Sequence, residues 1–111
     1  MKRTSIGELE ELVLLSVGSL YEGAYAIPIL EVIKEYTNRT LDITAVHAVL
    51  RRLEDKGFIN SSMGGATKER GGRRKKFFTL TQAGRRVLDE IMEARTALYN
   101  KLPKLIFSGL S

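Results

Sequence analysis

Two short β-prone runs, "FINSSM" at residues 58–63 and "KKFFTLT" at residues 75–81, stand between stretches of helical pattern and are joined by "GGATKERGGRR". Short runs carrying Phe, Ile and Thr and bounded by glycines read as strands. Two strands linked by a long glycine-containing loop form a β-hairpin whose tip projects from the body. This insertion restricts the chain to folds in which helices on both sides carry one hairpin.

The hairpin loop is also where the charge is concentrated. The 111-residue chain has a formal net charge of +5, with 18 Lys and Arg against 13 Asp and Glu. Residues 68–76 alone contribute six cations (Lys68, Arg70, Arg73, Arg74, Lys75 and Lys76) against Glu69, again +5. The remainder is close to neutral, so the basicity is local and points to a polyanionic partner. Gly71 and Gly72 let the backbone turn tightly and approach a phosphate, which the flanking arginines and lysines can neutralise. A solvated edge would account for Lys75 and Lys76, since cations on an edge strand discourage sheet-to-sheet pairing. It does not account for the cluster at the tip.

The helical stretches follow from apolar spacing. Ile6, Leu9, Leu12, Val13, Val17 and Leu20 predict a first helix over about residues 5–20, opened by a Ser5–Glu8 capping box, with Glu8, Glu10 and Glu11 favourable near its N-terminus. Ile27, Leu30 and Ile33 predict a second over about 25–37, with Pro28 in its first turn, where the missing N–H has no partner to lose. Asp42 is the expected N-cap of a third helix, which Ile43, Val46, Val49, Leu50 and Leu53 line on one face and Gly57 ends. Thr81 is the expected cap of a long fourth helix, with Leu88, Ile91, Arg95, Leu98 and Leu102 recurring until Pro103.

Three helices, a hairpin and a long last helix are the parts of a winged helix-turn-helix, mainly α with a small β element (α+β). Residues 1–81 form the winged helix-turn-helix unit and 82–111 the C-terminal dimerisation helix and tail, in one compact whole. The second and third helices make the helix-turn-helix pair. A recognition helix must enter a major groove about 12 Å wide, so its leading outward positions should be small or hydrogen-bonding. Thr44, Ala45, His47 and Ala48 meet that demand, and Arg51 and Arg52 can reach a guanine edge or phosphates. Any amphipathic helix also has a polar face, and alanines there simply favour helix. Backbone contacts are expected from Tyr25, Arg52, Lys68, Arg70, Arg73 and Arg74, with Lys75 and Lys76 completing the wing.

The fourth helix is long and apolar for so small a core. Leu88, Ile91, Leu98 and Leu102 fit heptad positions, as a pairing helix would. With Arg95 and with Leu9, Leu12 and Val13 of the first helix they form the expected homodimer contact across a two-fold axis. Packing back onto the first helix of the same chain is the alternative, and both can hold together.

Other classes are less well served. There is no cysteine, and His47 is the only histidine, so no metal site or cofactor is expected. No paired carboxylates, nucleophile–histidine arrangement or phosphate-binding glycine loop can be placed, so an enzyme is not expected. No apolar run approaches a membrane span, and "MKRTSIGELEEL" acquires acids where a signal peptide would be apolar; no export is expected, and the cytoplasm is the default. A winged-helix docking module without DNA contact remains the alternative function. Single-strand or RNA binding would want exposed aromatics, whereas at least one of Phe77 and Phe78 should be core.

"GELEELVLLSVGSLYEGAYAIPILEVIKE", "ITAVHAVLRRLEDKGFI" and "ERGGRRKKFFTLTQAGRRVLDE" together resemble the PadR family of bacterial transcriptional regulators, over about residues 6–100. The most specific elements are "LRRLEDKGFI", "RGGRRKKFFTLTQAGR" and the opening series Leu20, Tyr21, Gly23, Ala24, Tyr25, Ala26 and Ile27. The resemblance implies a homodimeric repressor on a palindromic double-stranded DNA operator, of the short subgroup that dimerises through a single C-terminal helix packed with the first. It assigns Asp42, Thr44, His47 and Arg51 to the recognition helix, and Arg70 through Lys76 (Gly71 and Gly72 included) to the wing. In that subgroup a small-molecule inducer sometimes binds in the dimer interface and releases DNA; no ligand-contacting motif is identifiable in this chain. Two departures stand out: His47 replaces a tyrosine common in the family, and Ala24, Tyr25 and Ala26 replace a Gly-Tyr-Glu start to the second helix.

Overall fold

The computed structural model describes residues 6–64 and 75–103. Four helices and one hairpin follow in the expected order: α1 (Glu8–Leu20), a 3₁₀ turn (Tyr21–Gly23), α2 (Ala26–Thr37), α3 (Ile43–Asp55), β1 (Ile59–Met63), β2 (Lys76–Leu80) and α4 (Gln82–Tyr99). The fold is a winged helix, mainly helical with one small antiparallel sheet. Among the described residues no helix is long and apolar enough to cross a membrane.

Local chemistry explains most of the boundaries. Pro28 falls in the first turn of α2, and Asn38 closes that helix in the left-handed conformation (φ 62°) that asparagine tolerates better than most residues. Gly57, at φ 82°, does the same after α3 and turns the chain into β1. Thr81 caps α4: its Oγ accepts from the Gly84 N–H at 3.0 Å and donates to the Gly57 carbonyl at 2.7 Å. One threonine thus ties the end of α3 to the start of α4.

Two expected caps differ. α1 starts at Glu8 behind Gly7, not at a Ser5–Glu8 box, and it is Glu10 that reaches back, its Oε1 accepting from the Gly7 N–H at 2.8 Å. Ser5 lies outside the described residues, and Glu8 instead faces Arg39 at 3.4 Å. Asp42 does occupy the N-cap position of α3, but its side chain makes no capping hydrogen bond.

The core is one cluster to which all four helices and both strands contribute. α1 supplies Val13, Leu14 and Val17; α2 supplies Ile29 and Ile33; α3 supplies Val46, Val49, Leu50 and Leu53. Phe58, Ile59 and Phe78 of the hairpin close it, with Val87 and Leu88 of α4. The strands pair antiparallel, Ile59 opposite Leu80, Ser61 opposite Phe78 and Met63 opposite Lys76. Alternation along β2 sends Phe78 inward and leaves Phe77 half-buried at the edge. The hairpin is moored beyond its own ladder, because the Phe78 N–H donates to the Ala24 carbonyl at 2.8 Å and the Thr81 N–H to that of Phe58 at 3.1 Å.

Of the side chains expected to pair two protomers, Val13 and Leu88 are buried in the chain's own core. Apolar spacing marks core and interface alike, and here the intrachain partner claims them. Leu9, Leu12 and Ile91 are partly buried against the same cluster. Leu102 lies past the end of α4, which stops at Tyr99. From Met92 onward every described residue of α4 and its C-terminal turn is exposed, so the second half of the helix lies outside the core, and Arg95 ties it to Glu11 of α1.

Candidate nucleic-acid interface

Successive residues of an α-helix are turned by roughly 100°, so positions four and seven apart line one face. With Val46, Val49, Leu50 and Leu53 inward, the row opposite is Thr44, Ala48, Arg51 and Asp55. Thr44, Arg51 and Asp55 are exposed and Ala48 is half-buried. His47 is exposed on one flank of this row, and half-buried Ala45 lies on the other. The leading end of the face is therefore small and able to hydrogen-bond, and its only cation in line is Arg51.

Arg52 lies on the α1 side and is already engaged. Its Nε donates to Glu10 Oε2 at 3.3 Å, and Lys56 Nζ lies 3.1 Å and 3.2 Å from Oε2 and Oε1 of the same carboxylate. With the Gly7 N–H on Oε1, both oxygens of Glu10 are occupied, and the residue is only 7% exposed. Burial pushes the Glu10 carboxyl up, but the Gly7 N–H, Lys56 and Arg52 together outweigh it and hold the group below its ordinary range. A usable signal of this cluster did exist: Glu10 stands three, four and seven residues before Val13, Leu14 and Val17, in line with the buried face, where an acid requires a partner.

The root of the wing is tied to the same helix. Glu54, near the end of α3, accepts from Ser61 Oγ at 2.6 Å and faces Lys76 Nζ at 3.7 Å. Lys76 also lies over the Phe78 ring, 5.7 Å from its centroid. Lys75 Nζ lies 5.1 Å from the centroid of Tyr25, the N-cap residue of α2, and Phe77 meets that tyrosine edge-on at 5.3 Å. Tyr25, Lys75 and the beginning of α2 thus share one surface. Gly64 and Lys75, the last described residues of the two sides, are joined by a Gly64 N–H to Lys75 carbonyl bond of 2.6 Å. Lys68, Arg70, Gly71, Gly72, Arg73 and Arg74 lie outside the described residues.

Comparison with known proteins bears on this arrangement. The family model described as "Transcriptional regulator PadR-like family" matches residues 13–90. Among solved structures, a PadR family transcription regulator from Clostridium difficile R20291 superposes with a TM-score of 0.68 at 23% identity, covering 86% of this chain and 94% of that one. A PadR family transcriptional regulator from Eggerthella lenta DSM 2243 gives 0.65 at 26% identity, covering 89% and 86%. Bacillus subtilis PadR, solved in complex with operator DNA, gives 0.63 at 23% identity over 76% of this chain and 46% of that one. None of the curated proteins matches the chain.

Proposed function

The chain belongs to the PadR-like family of transcriptional regulators, and from that premise we propose that it is a sequence-specific double-stranded DNA-binding repressor. It acts in the cytoplasm as a homodimer on a palindromic operator. Residues 1–81 read the DNA and residues 82–111 pair the protomers. Thr44, Ala45, His47, Ala48 and Arg51 face base edges, with Asp42 at the head of the helix. Tyr25, Lys68, Arg70, Arg73, Arg74, Lys75 and Lys76 meet phosphates, and Gly71 and Gly72 allow the wing to approach them. Arg52 is left out of this footprint because it faces Glu10.

The observation that carries the reading is the outward row of α3, small at its leading end and headed by Thr44, on a helix tied through Glu54 to a strongly basic wing. The operator complex of the Bacillus subtilis relative supports it as a related fold engaged with DNA.

The test is fluorescence anisotropy on duplexes taken from upstream of the chain's own coding sequence, against random duplexes of equal length. Specific binding should exceed random binding by about 10³-fold or more and weaken with salt. Replacing Arg73 and Arg74 together by alanine should flatten the salt slope by about one unit per lost phosphate contact. His47→Ala should change which operator is preferred. Equal affinity of the unmodified protein for upstream and random duplexes would remove the sequence-specific reading.

A further inference from the structure

The last turns of α3 and its C-cap residue carry three cations, Arg51, Arg52 and Lys56, but present them unequally. Arg51 is exposed in line with Thr44 and Ala48. Arg52 is turned to the α1 side, and Lys56, four residues on, follows it along that flank. Both converge on one carboxylate whose side chain is only 10% exposed. Glu10 thereby has two cations and a backbone N–H on its two oxygens.

We propose that Glu10 determines specificity by withholding Arg52 and Lys56 from DNA phosphates, standing in for a phosphate inside the fold. The inference rests on the DNA-binding reading above and goes beyond it. A phosphate that claimed Arg52 would have to draw it from an acid out of water, and a buried charge that loses a partner is penalised far more than an exposed one. One carboxylate cancels only one of the two charges, but cations held on Glu10 do not sit on phosphates, so they displace few of the counterions of DNA and add little to sequence-independent affinity. The helix then meets the duplex with Arg51 and its small polar row, and does not grip every duplex equally through three cations. A purely structural role for Glu10 would leave the salt dependence of DNA binding unmoved; the withholding role changes it.

The experiment measures binding to random duplex as a function of salt, using the full chain. Glu10→Gln keeps the shape and a carbonyl oxygen for the Gly7 N–H but removes the charge. It should bind random DNA more tightly, with a log–log salt slope steeper by roughly one to two units, since each freed cation neutralises about one phosphate. The ratio of operator to random affinity should fall. Adding Arg52→Ala and Lys56→Ala to Glu10→Gln should restore the original slope. Arg52→Ala alone should leave the slope unchanged, and because this side chain is more than half exposed while Lys56 still satisfies Glu10, that variant can overturn the inference even where Glu10→Gln does not fold.

A slope unchanged or flattened in Glu10→Gln overturns the inference, as does a slope flattened by about one unit in Arg52→Ala, which would make Arg52 a phosphate contact. An unmodified chain with no salt-dependent duplex binding overturns the DNA-binding reading itself and takes the inference with it. A normally binding chain with a flattened Arg52→Ala overturns the inference alone.

Discussion

Arg95 Nη2 donates to Glu11 Oε1 across 2.7 Å, joining the second half of α4 to the start of α1 from positions 84 residues apart. The two ends differ in environment, the arginine side chain being 62% exposed and the glutamate 11%. Arg85 and Asp89 make a bond of similar length, 3.0 Å, with both side chains in water. The paired carboxylate, more than the distance, sets what each contact is worth.

Arg95→Ala should therefore destabilise the fold by about 1 kcal/mol, a charged hydrogen bond to a buried acid discounted for the exposure of the arginine. Arg85→Ala should change stability by no more than about 0.5 kcal/mol, as exposed pairs four residues apart on a helix do. Urea midpoints at constant m-value measure both. Equal losses in the two variants would mean that burial of Glu11 is irrelevant to the contact.

Glu10 should make stability depend on pH in the acid range. Its folded carboxyl is held below the ordinary glutamate range, so the folded state favours the ionised form. The stabilisation is present in full above the unfolded value, about 4.3, and is lost as pH falls through the lower folded one. Glu10→Gln should flatten the curve of unfolding free energy against pH within that window, leaving its neutral-pH shape alone. Parallel acid-limb curves for the two proteins would argue that the Glu10 pairs do not persist in solution.

These acids also mark where the sequence ceases to be readable. Pro28, Gly57 and Thr81 act within a turn of themselves, so the starts of α2 and α4 and the end of α3 were legible from neighbours alone. The hairpin was legible too, because Phe77 and Phe78 alternate between edge and core as a strand requires. Glu10 and Glu11 look like ordinary acids at a helix N-terminus, favoured by its dipole. Their partners come from α3 and α4, at separations of 42, 46 and 84 residues, and no local pattern carries that pairing. Arg52 shows the consequence: its sequence context suggests a phosphate contact and carries no sign that its Nε faces Glu10. Val13 and Leu88 show the same limit for apolar residues, since a side chain that packs inside one chain and one that packs between two are spaced alike. The outward row of α3 was legible because its inward row is unambiguous.

Gly84 is required by a close approach that its sequence context conceals. A Cβ at this position would overlap the Phe58 carbonyl oxygen and press within 2.9 Å of Leu80 Cδ1. The first is backbone in the turn between α3 and β1, with no freedom to withdraw. Gly84→Ala should cost about 1–3 kcal/mol in spite of alanine's better helix propensity. At Gly18 the nearest obstacle is the tip of Leu80, at 3.2 Å, which can swing aside. Gly18→Ala should lie within about 1 kcal/mol of the original, gaining helix propensity and losing a little packing. Thermal midpoints rank the two; a larger loss at Gly18 would contradict the close packing of α4 on the hairpin.

The exposed half of α4 carries the last prediction. Leu98 and Tyr99 are 67% and 72% exposed, and Met92 and Leu102 are exposed beside them. Ile91 and Leu98 stand seven residues apart, as do Met92 and Tyr99, so two apolar positions recur at a heptad spacing on a helix whose residues from Met92 onward are all exposed. A charge placed there would have little effect on an isolated chain, because Leu98 contributes nothing to its core. In the proposed homodimer the same side chain would be buried twice, once in each protomer, and each burial would contribute about 2 kcal/mol. Leu98→Glu should thus shift the protein to a monomer in sedimentation experiments at micromolar concentration while its circular dichroism keeps the native helical signal. Operator affinity should fall on the same samples, since a monomer meets one half-site where a dimer meets two. A Leu98→Glu protein that sediments as a dimer, or loses its fold along with its association, would place the pairing surface elsewhere.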